Sequence, residues 1–248
     1  MTDKDVPKLL HGLRALTPAR VRLDGGTGAQ PLGSVLDFQL SHARARDAIR
    51  QPVDWEAVRA ALDGRALIEL QSRAPDRDTY IRRPDLGRRL SDESLARVPR
   101  TAPDLAIVIA DGLSAFAVRN HAAAMVKALT AALPDLTIGP IALVREGRVA
   151  IGDEIGAAMG AGLCLVLIGE RPGLSVSDSL GAYLTLGPKP GTPDSGRNCV
   201  SNIHANGGLD YARASDLLAF LIRRAREIGA TGVALKDDRT QTGRIGEG

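Results

Sequence analysis

Aromatic residues are scarce in this chain, which has one Trp, three Tyr and three Phe among 248 residues. Aromatic rings provide the surfaces on which proteins stack bases and sugar rings. Their scarcity argues against a carbohydrate-binding platform and against a nucleic-acid surface that works by stacking. Of the 32 basic residues 27 are arginine, but a high-GC genome would produce that bias by itself, so we expect no nucleic-acid partner.

Residues that bind metals or form disulfides are also few. The two cysteines, Cys164 and Cys199, are too few for a disulfide framework, and the four histidines lack the spacing of zinc ligands. We therefore expect no metal site and two free thiols, as is usual in the cytoplasm.

Long hydrophobic runs are absent as well. The longest apolar run, Gly162–Gly169, has the length of a strand, whereas a membrane helix needs roughly 20 such residues. The first five residues, Met1–Asp5, are mostly polar and do not resemble a secretory signal. We expect a cytoplasmic protein with no membrane association. Hydrophobic residues make up 44% and charged residues 25%, which is typical of soluble globular proteins.

The N-terminal quarter has the periodicity of helices. Apolar residues recur at helical intervals over Ser34–Arg50, and Asp54 is placed to cap a second helix that reaches Leu62 before Asp63 and Gly64. This pattern predicts a small helical domain over residues 1–64.

From residue 65 the pattern alternates between short apolar runs and amphipathic stretches. The sequence predicts strands over Ala66–Gln71, Leu105–Ala110, Ile138–Val144, Leu163–Ile168 and Tyr183–Leu186. It predicts helices over Asp85–Val98, from Ser114 to about Leu133, over Asp153–Met159 and over Asp210–Ile228. Buried strands that alternate with helices indicate an α/β domain with a mostly parallel sheet over residues 65–248.

Ligands of such sheets bind beyond the carboxyl ends of the strands. That rule selects four segments as candidate site loops: Asp111–Ser114, Gly169–Asp178, Cys199–Gly208 and Arg145–Val149. Each is also explained as an ordinary turn.

Glu170 and Arg171 are the most informative pair, because they follow a buried strand directly and precede the turn Pro172-Gly173. They could accept and donate hydrogen bonds to a polar ligand, or form an ion pair with each other. Four arginines between Tyr80 and Arg89 could likewise bind a phosphate or an acidic partner. A solvated face with local ion pairs explains them equally well.

Catalytic interpretations have less support. Asp111 could be a catalytic carboxylate, but a cap for the helix that begins near Ser114 is favoured. Cys199 and His204 could form a nucleophilic pair. Residues five apart in an extended segment point to opposite faces, however, so contact with a small molecule is favoured.

Six ordered segments carry a resemblance to a known family. They are Phe38–Asp47, Tyr80–Leu90, Ala110–Ser114, Gly147–Val149, Gly169–Leu174 and Cys199–His204. In these segments, and over nearly its whole length, the chain resembles the small (light) subunit of ethanolamine ammonia-lyase. That enzyme uses adenosylcobalamin to convert ethanolamine to acetaldehyde and ammonia.

The resemblance implies a small helical domain followed by a Rossmann-like α/β domain. It also implies a heteromeric complex in which a large subunit holds the substrate and the cofactor lies between the subunits. Cofactor contacts in the family match Val149, Glu170 and Cys199 of this chain, and no catalytic residue is implied here. Members of the family often carry a longer N-terminal extension associated with packaging into a microcompartment. Only 16 residues precede Thr17, so a microcompartment location stays open beside the cytoplasmic one.

Two other functions fit the sequence less well. A stand-alone nucleotide-binding oxidoreductase requires a glycine-rich turn between a strand and a helix, which this sequence lacks. An arginine-rich RNA-binding module requires stacking aromatics, which are too few.

Overall fold

The structure, a computed structural model, describes residues 32–237, and a six-stranded sheet forms its centre. The strands are β1 (Leu67–Gln71), β2 (Leu105–Ala110), β3 (Ile141–Arg145), β4 (Leu163–Gly169), β5 (Leu180–Leu186) and β6 (Asn198–Ile203). Their order across the sheet is β1-β3-β2-β4-β5-β6. The first four in that order are parallel, whereas β5 is antiparallel to both of its neighbours. The predicted α/β class is confirmed, with a mixed sheet.

Helices connect and cover the strands. They are α1 (Leu32–Arg50), α2 (Trp55–Ala61), α3 (Arg77–Arg82), α4 (Asp92–Arg97), α5 (Ala115–Ala117), α6 (Ala123–Ala132), α7 (Ile151–Met159) and α8 (Tyr211–Ile228). A π-helical stretch, Val118–Ala122, joins α5 to α6. The predicted cap at Asp54 is confirmed, because its carboxylate accepts a hydrogen bond from the Ala57 backbone N–H. Among residues 32–237, no helix is long and apolar enough to cross a membrane.

The two faces of the sheet are covered differently. On one face, side chains of α2, α6 and α8 pack on the strands and form the larger core. On the other face, α7 packs against β2 and β4 and belongs to a smaller core. Beyond α7 this second face carries Tyr183 of β5, which is half-buried, and Cys199 of β6, which is exposed. The outer part of the second face is therefore accessible to a ligand or partner.

The helix predicted over Asp85–Val98 is interrupted. A 3-10 turn covers Leu86–Arg88, and α4 begins only at Asp92. Between them Leu90 is fully buried, and its backbone N–H donates to the Glu154 carboxylate at 2.7 Å. That long-range hydrogen bond and the burial of Leu90 outweigh the local preference for a continuous helix.

The loop predicted over Cys199–Gly208 is wrong in its first half, because Asn198–Ile203 forms β6. Cys199 lies directly opposite Tyr183 of β5 and is therefore not a loop end. Val200 and Ile203 are buried in the larger core. This pairing depends on β5. The strand predicted there is too short, because β5 begins at Leu180 rather than at Tyr183.

The helical domain predicted over residues 1–64 stays a prediction, because residues 1–31 lie outside the described part of the chain. Of the described portion, Trp55, Val58 and Leu62 are buried in the same core as the sheet. In α1, Ala45 and Ala48 are buried.

Candidate functional site

Two neighbouring cavities open beside the accessible part of the sheet. The first, of about 390 Å³, is lined by Pro84, Arg88, Arg148, Val149, Ala150, Tyr183, Asp194, Arg197 and Cys199. The second, of about 410 Å³, is lined by Tyr80, Gly112, Leu113, Arg148, Val149, Ile168, Gly169, Glu170, Arg171 and Tyr183. Arg148, Val149 and Tyr183 line both, and we call the two cavities together the groove. All three predicted site residues, Val149, Glu170 and Cys199, line it.

Val149 lies in the loop between β3 and α7, and Asp111 holds that loop in place. The Asp111 carboxylate accepts hydrogen bonds from the backbone N–H groups of Glu146 at 2.7 Å and Gly147 at 2.9 Å. Burial, together with the neighbouring Glu146 charge, raises the pKa of Asp111 to about 7. The cap of α5 is instead Ser114, whose hydroxyl accepts from the Ala117 N–H. Asp111 thus positions the loop, and the favoured assignment of Asp111 as a cap is wrong.

Arg148 is fixed in the groove by Tyr80, a contact that sequence analysis missed. The Arg148 guanidinium lies 4.1 Å from the centre of the Tyr80 ring, and the Tyr80 hydroxyl donates to the Gly147 carbonyl at 3.1 Å. A Cβ at Gly87 would lie 2.9 Å from both side chains, so only glycine fits beside this stack. The available signal was that Tyr80, Gly87 and Arg148 all fall in segments that carry the family resemblance.

Glu170 follows β4 directly, as predicted, and its carboxylate is held by two donors. Oε2 accepts from the Ser179 hydroxyl at 2.5 Å and from the Asn202 backbone N–H at 3.2 Å. The side chain lies against β5 at Gly181, where a Cβ would be 3.0 Å from Oε1. Within residues 32–237 Glu170 forms no ion pair with Arg171. Oε1 is left available to accept a hydrogen bond from a ligand.

Cys199 is placed for contact rather than for nucleophilic attack. Partial desolvation of the sulfur raises the pKa of the Cys199 thiol, so it is protonated at neutral pH. His204 is buried, and its ring nitrogens contact Asn202 Oδ1 at 2.8 Å and the Asn206 backbone N–H at 3.2 Å. Since the imidazole is engaged within its own turn, it does not activate Cys199.

A buried ion pair forms one wall of the groove. The Arg197 guanidinium binds both carboxylate oxygens of Asp153, at 2.5 and 2.7 Å, and also donates to the Thr185 hydroxyl and the Thr192 carbonyl. The side chains of Arg197 and Asp153 are each 3% exposed. This pair ties α7 to the start of β6, so it connects the loop that carries Val149 to the strand that carries Cys199.

The arrangement is suited to binding a ligand. It combines apolar contact surfaces at Val149 and Tyr183 with one carboxylate acceptor at Glu170 and guanidinium donors at Arg88 and Arg148. Asp111 and His204 are engaged in structural hydrogen bonds, and the Cys199 thiol is protonated.

Comparison with known proteins gives consistent matches. The family model for the ethanolamine ammonia-lyase light chain (EutC) matches residues 7–236. The ethanolamine ammonia-lyase small subunit of Bradyrhizobium diazoefficiens is 49% identical over 247 residues, which cover 96% of this chain and 94% of the relative. The small subunit of Xanthomonas campestris pv. campestris is 48% identical over 236 residues, covering 91% of this chain and 86% of the relative. The small subunit of Rhodopseudomonas palustris is 49% identical over 236 residues, covering 92% of this chain and 90% of the relative.

Proposed function

This chain belongs to the ethanolamine ammonia-lyase light-chain family, and from that membership we propose that it binds adenosylcobalamin in the groove, at an interface with a large subunit that carries the substrate site. One observation carries the proposal. Val149, Glu170 and Cys199 come from three separate elements, and the fold brings all three to the same groove. The proposal includes a Rossmann-like α/β domain, an N-terminal helical domain and a cytoplasmic location.

The groove suits one part of a corrinoid. Its cavities, of about 390 and 410 Å³, are in the range that encloses a drug-sized ligand. A corrinoid is larger, so this chain covers one side of it and the partner subunit covers the other. Val149 and Tyr183 offer apolar contact to the ring. Glu170 Oε1 would accept a hydrogen bond from one of the amide side chains that surround the corrin ring.

The chain's own residues bind and orient the cofactor and exclude water from it. When bound, adenosylcobalamin supplies the radical chemistry of the conversion of ethanolamine to acetaldehyde and ammonia. No residue of this chain transfers a proton in our proposal. Asp111 is held by Glu146 and Gly147, His204 by its own turn, and the Cys199 thiol is protonated.

Reconstitution tests the division of labour. We expect the purified chain to form no acetaldehyde from ethanolamine and adenosylcobalamin, because the proposal places the substrate site on the large subunit. Addition of the purified large subunit should give acetaldehyde and ammonia in equal amounts. The large subunit assayed without this chain is the matched control. Turnover by this chain alone, or full turnover by the large subunit alone, would contradict the proposal.

Glu170→Ala is expected to weaken cobalamin binding by up to about tenfold, since a hydrogen bond to a neutral partner contributes on the order of 0.5–1.5 kcal/mol. The measurement is a titration of the reconstituted complex, followed by the visible absorbance of the corrinoid. Ser179→Ala removes one donor that holds Glu170 but keeps the carboxylate, so its effect should be smaller. Glu227→Ala, which breaks a surface pair with Arg224, should have none. An unchanged dissociation constant in Glu170→Ala would remove Glu170 from the site.

A further inference from the structure

Two arginines of the first cavity have no counter-charge in the part of the chain that the structure describes. Arg88 and Arg148 both line it, and neither has a carboxylate oxygen within 4.0 Å among residues 32–237. Their neighbours differ in this respect. Arg83 pairs with Asp85, and Arg89 pairs with Glu154.

The other charges of the cavity do not neutralise this pair. Arg197 is bound on both guanidinium nitrogens by Asp153. Asp194 is the one carboxylate in the cavity lining, and it is 84% exposed and lies 3.6 Å from Arg197 Nε. Arg88 and Arg148 therefore leave a positive potential at the wall formed by residues 84–88 and 148–150.

Arg148 is incompletely hydrogen-bonded within the described residues. Its guanidinium stacks on Tyr80, and Nη2 donates to the Tyr80 carbonyl at 3.3 Å. Nε is buried and has no partner within the described residues. A buried donor without an acceptor is costly, and a guanidinium presents its donors in a fixed fork that matches phosphate.

Two residues at the start of α7, Val149 and Ala150, belong to the same wall. At the start of α7, the N–H groups of residues 151–153 donate to the carbonyls of residues 148–150. The N–H groups of Val149 and Ala150, which directly precede these residues, have no acceptor within residues 32–237. The two acidic side chains of the first turn, Asp153 and Glu154, are directed to Arg197 and to Arg89 and Leu90. The positive end of the helix is thus available to an anion.

We infer that Arg88 and Arg148, with the start of α7, form an anion subsite that takes the phosphodiester of the cofactor's nucleotide tail. The inference rests on the proposed function. The side chains around a corrin ring are neutral amides, whereas the tail carries a fixed negative charge. Free phosphate has the same recognition chemistry, so the test separates the two sources.

The test compares cobalamin with cobinamide, which lacks the nucleotide tail and its phosphodiester. The reconstituted complex with the large subunit is titrated with each corrinoid, and binding is followed by visible absorbance. In Arg88→Ala, cobalamin affinity should fall on the order of 10- to 100-fold, as for loss of a charge-assisted hydrogen bond, while cobinamide affinity stays unchanged. Arg88→Lys should recover part of the loss because it keeps the charge.

Arg82→Ala is the matched control. Arg82 is an exposed arginine of the same segment, and it donates to the Asp78 carbonyl outside the groove. The control should bind both corrinoids as wild type does. Arg148→Met, which keeps an unbranched chain against Tyr80, should repeat the selective loss for cobalamin. Thermal unfolding of each variant checks that the fold is retained.

The outcomes are distinguishable. If Arg88→Ala weakens both corrinoids equally, or neither, the phosphodiester assignment is overturned and the proposed function stands. If the wild-type complex binds neither corrinoid, the proposed function fails and the inference fails with it. Inorganic phosphate should compete with cobalamin in wild type and not with cobinamide. Phosphate that binds the cobalamin-loaded complex at this site would show that the subsite serves free phosphate instead.

Discussion

Arg197→Met is expected to lower the free energy of unfolding by about 3–5 kcal/mol, the range found when one partner of a buried ion pair is removed. The reason is the Asp153 carboxylate, which is 3% exposed and would lose both guanidinium hydrogen bonds. The methionine fills much of the arginine volume but offers no donor, so Asp153 is left charged without a partner or must take up a proton. Chemical denaturation of the isolated chain measures the change.

A double-mutant cycle separates this mechanism from a loss of packing. Asp153→Leu in the Arg197→Met background removes the stranded carboxylate, and most of the lost stability should return, because a buried pair replaced by apolar groups is often neutral or stabilising. Arg213→Ala is the control. Arg213 is 80% exposed and pairs with Asp210 across one helical turn, so the expected change is within about 0.5 kcal/mol. Equal destabilisation by the double and the single variant would refute the stranded-charge account.

Cys199→Trp is expected to abolish corrinoid binding while the chain still folds. Cys199 is exposed on the open part of the sheet, opposite Tyr183, so an indole there would project into the first cavity rather than into a core. We expect the affinity of the reconstituted complex for cobalamin to fall by more than about 100-fold, an effect of roughly 3 kcal/mol. Absorbance titration measures affinity, and circular dichroism together with thermal unfolding reports the fold.

Cys199→Ser distinguishes contact from chemistry at the same position. Serine has similar size but is a far poorer nucleophile than a thiolate, so a contact residue should tolerate the change with most of its turnover intact. Any loss should appear as weaker cobalamin binding. A decrease in turnover of several orders of magnitude with binding unchanged would mean that Cys199 takes part in the reaction.

The strands with continuous apolar runs were predictable because every residue in them faces a core. Leu105–Ala110 was predicted and observed with identical bounds, and Leu163–Ile168 differs from β4 by one residue. Glu170 was predictable for a related reason, since it is the first residue after β4 and lies at the edge where ligands bind. Such features depend on the hydrophobic period of a single helix or strand and on where that element ends. Residues close together in the sequence specify both.

Features that join distant residues were not predictable in this way. The role of Asp111 depends on backbone N–H groups at positions 146 and 147, and the break before α4 depends on Glu154. β6 was not predictable without its partner β5, because its own burial pattern is irregular and its pairing with β5 includes a register shift. The groove itself is produced by the fold, which brings segments more than 100 residues apart to one face.

The sequence by itself determined the α/β class, the central strands and the family, since these follow from periodicity and from motifs read along the chain. Tertiary structure alone decided that Val149, Glu170 and Cys199 share one groove, that Asp111 positions a loop, and that Arg148 is stacked on Tyr80 with no counter-charge among residues 32–237. The physical reason is that hydrogen bonds and charge pairs act through space. A residue's partner in such contacts is set by which elements pack together, and no local pattern records it.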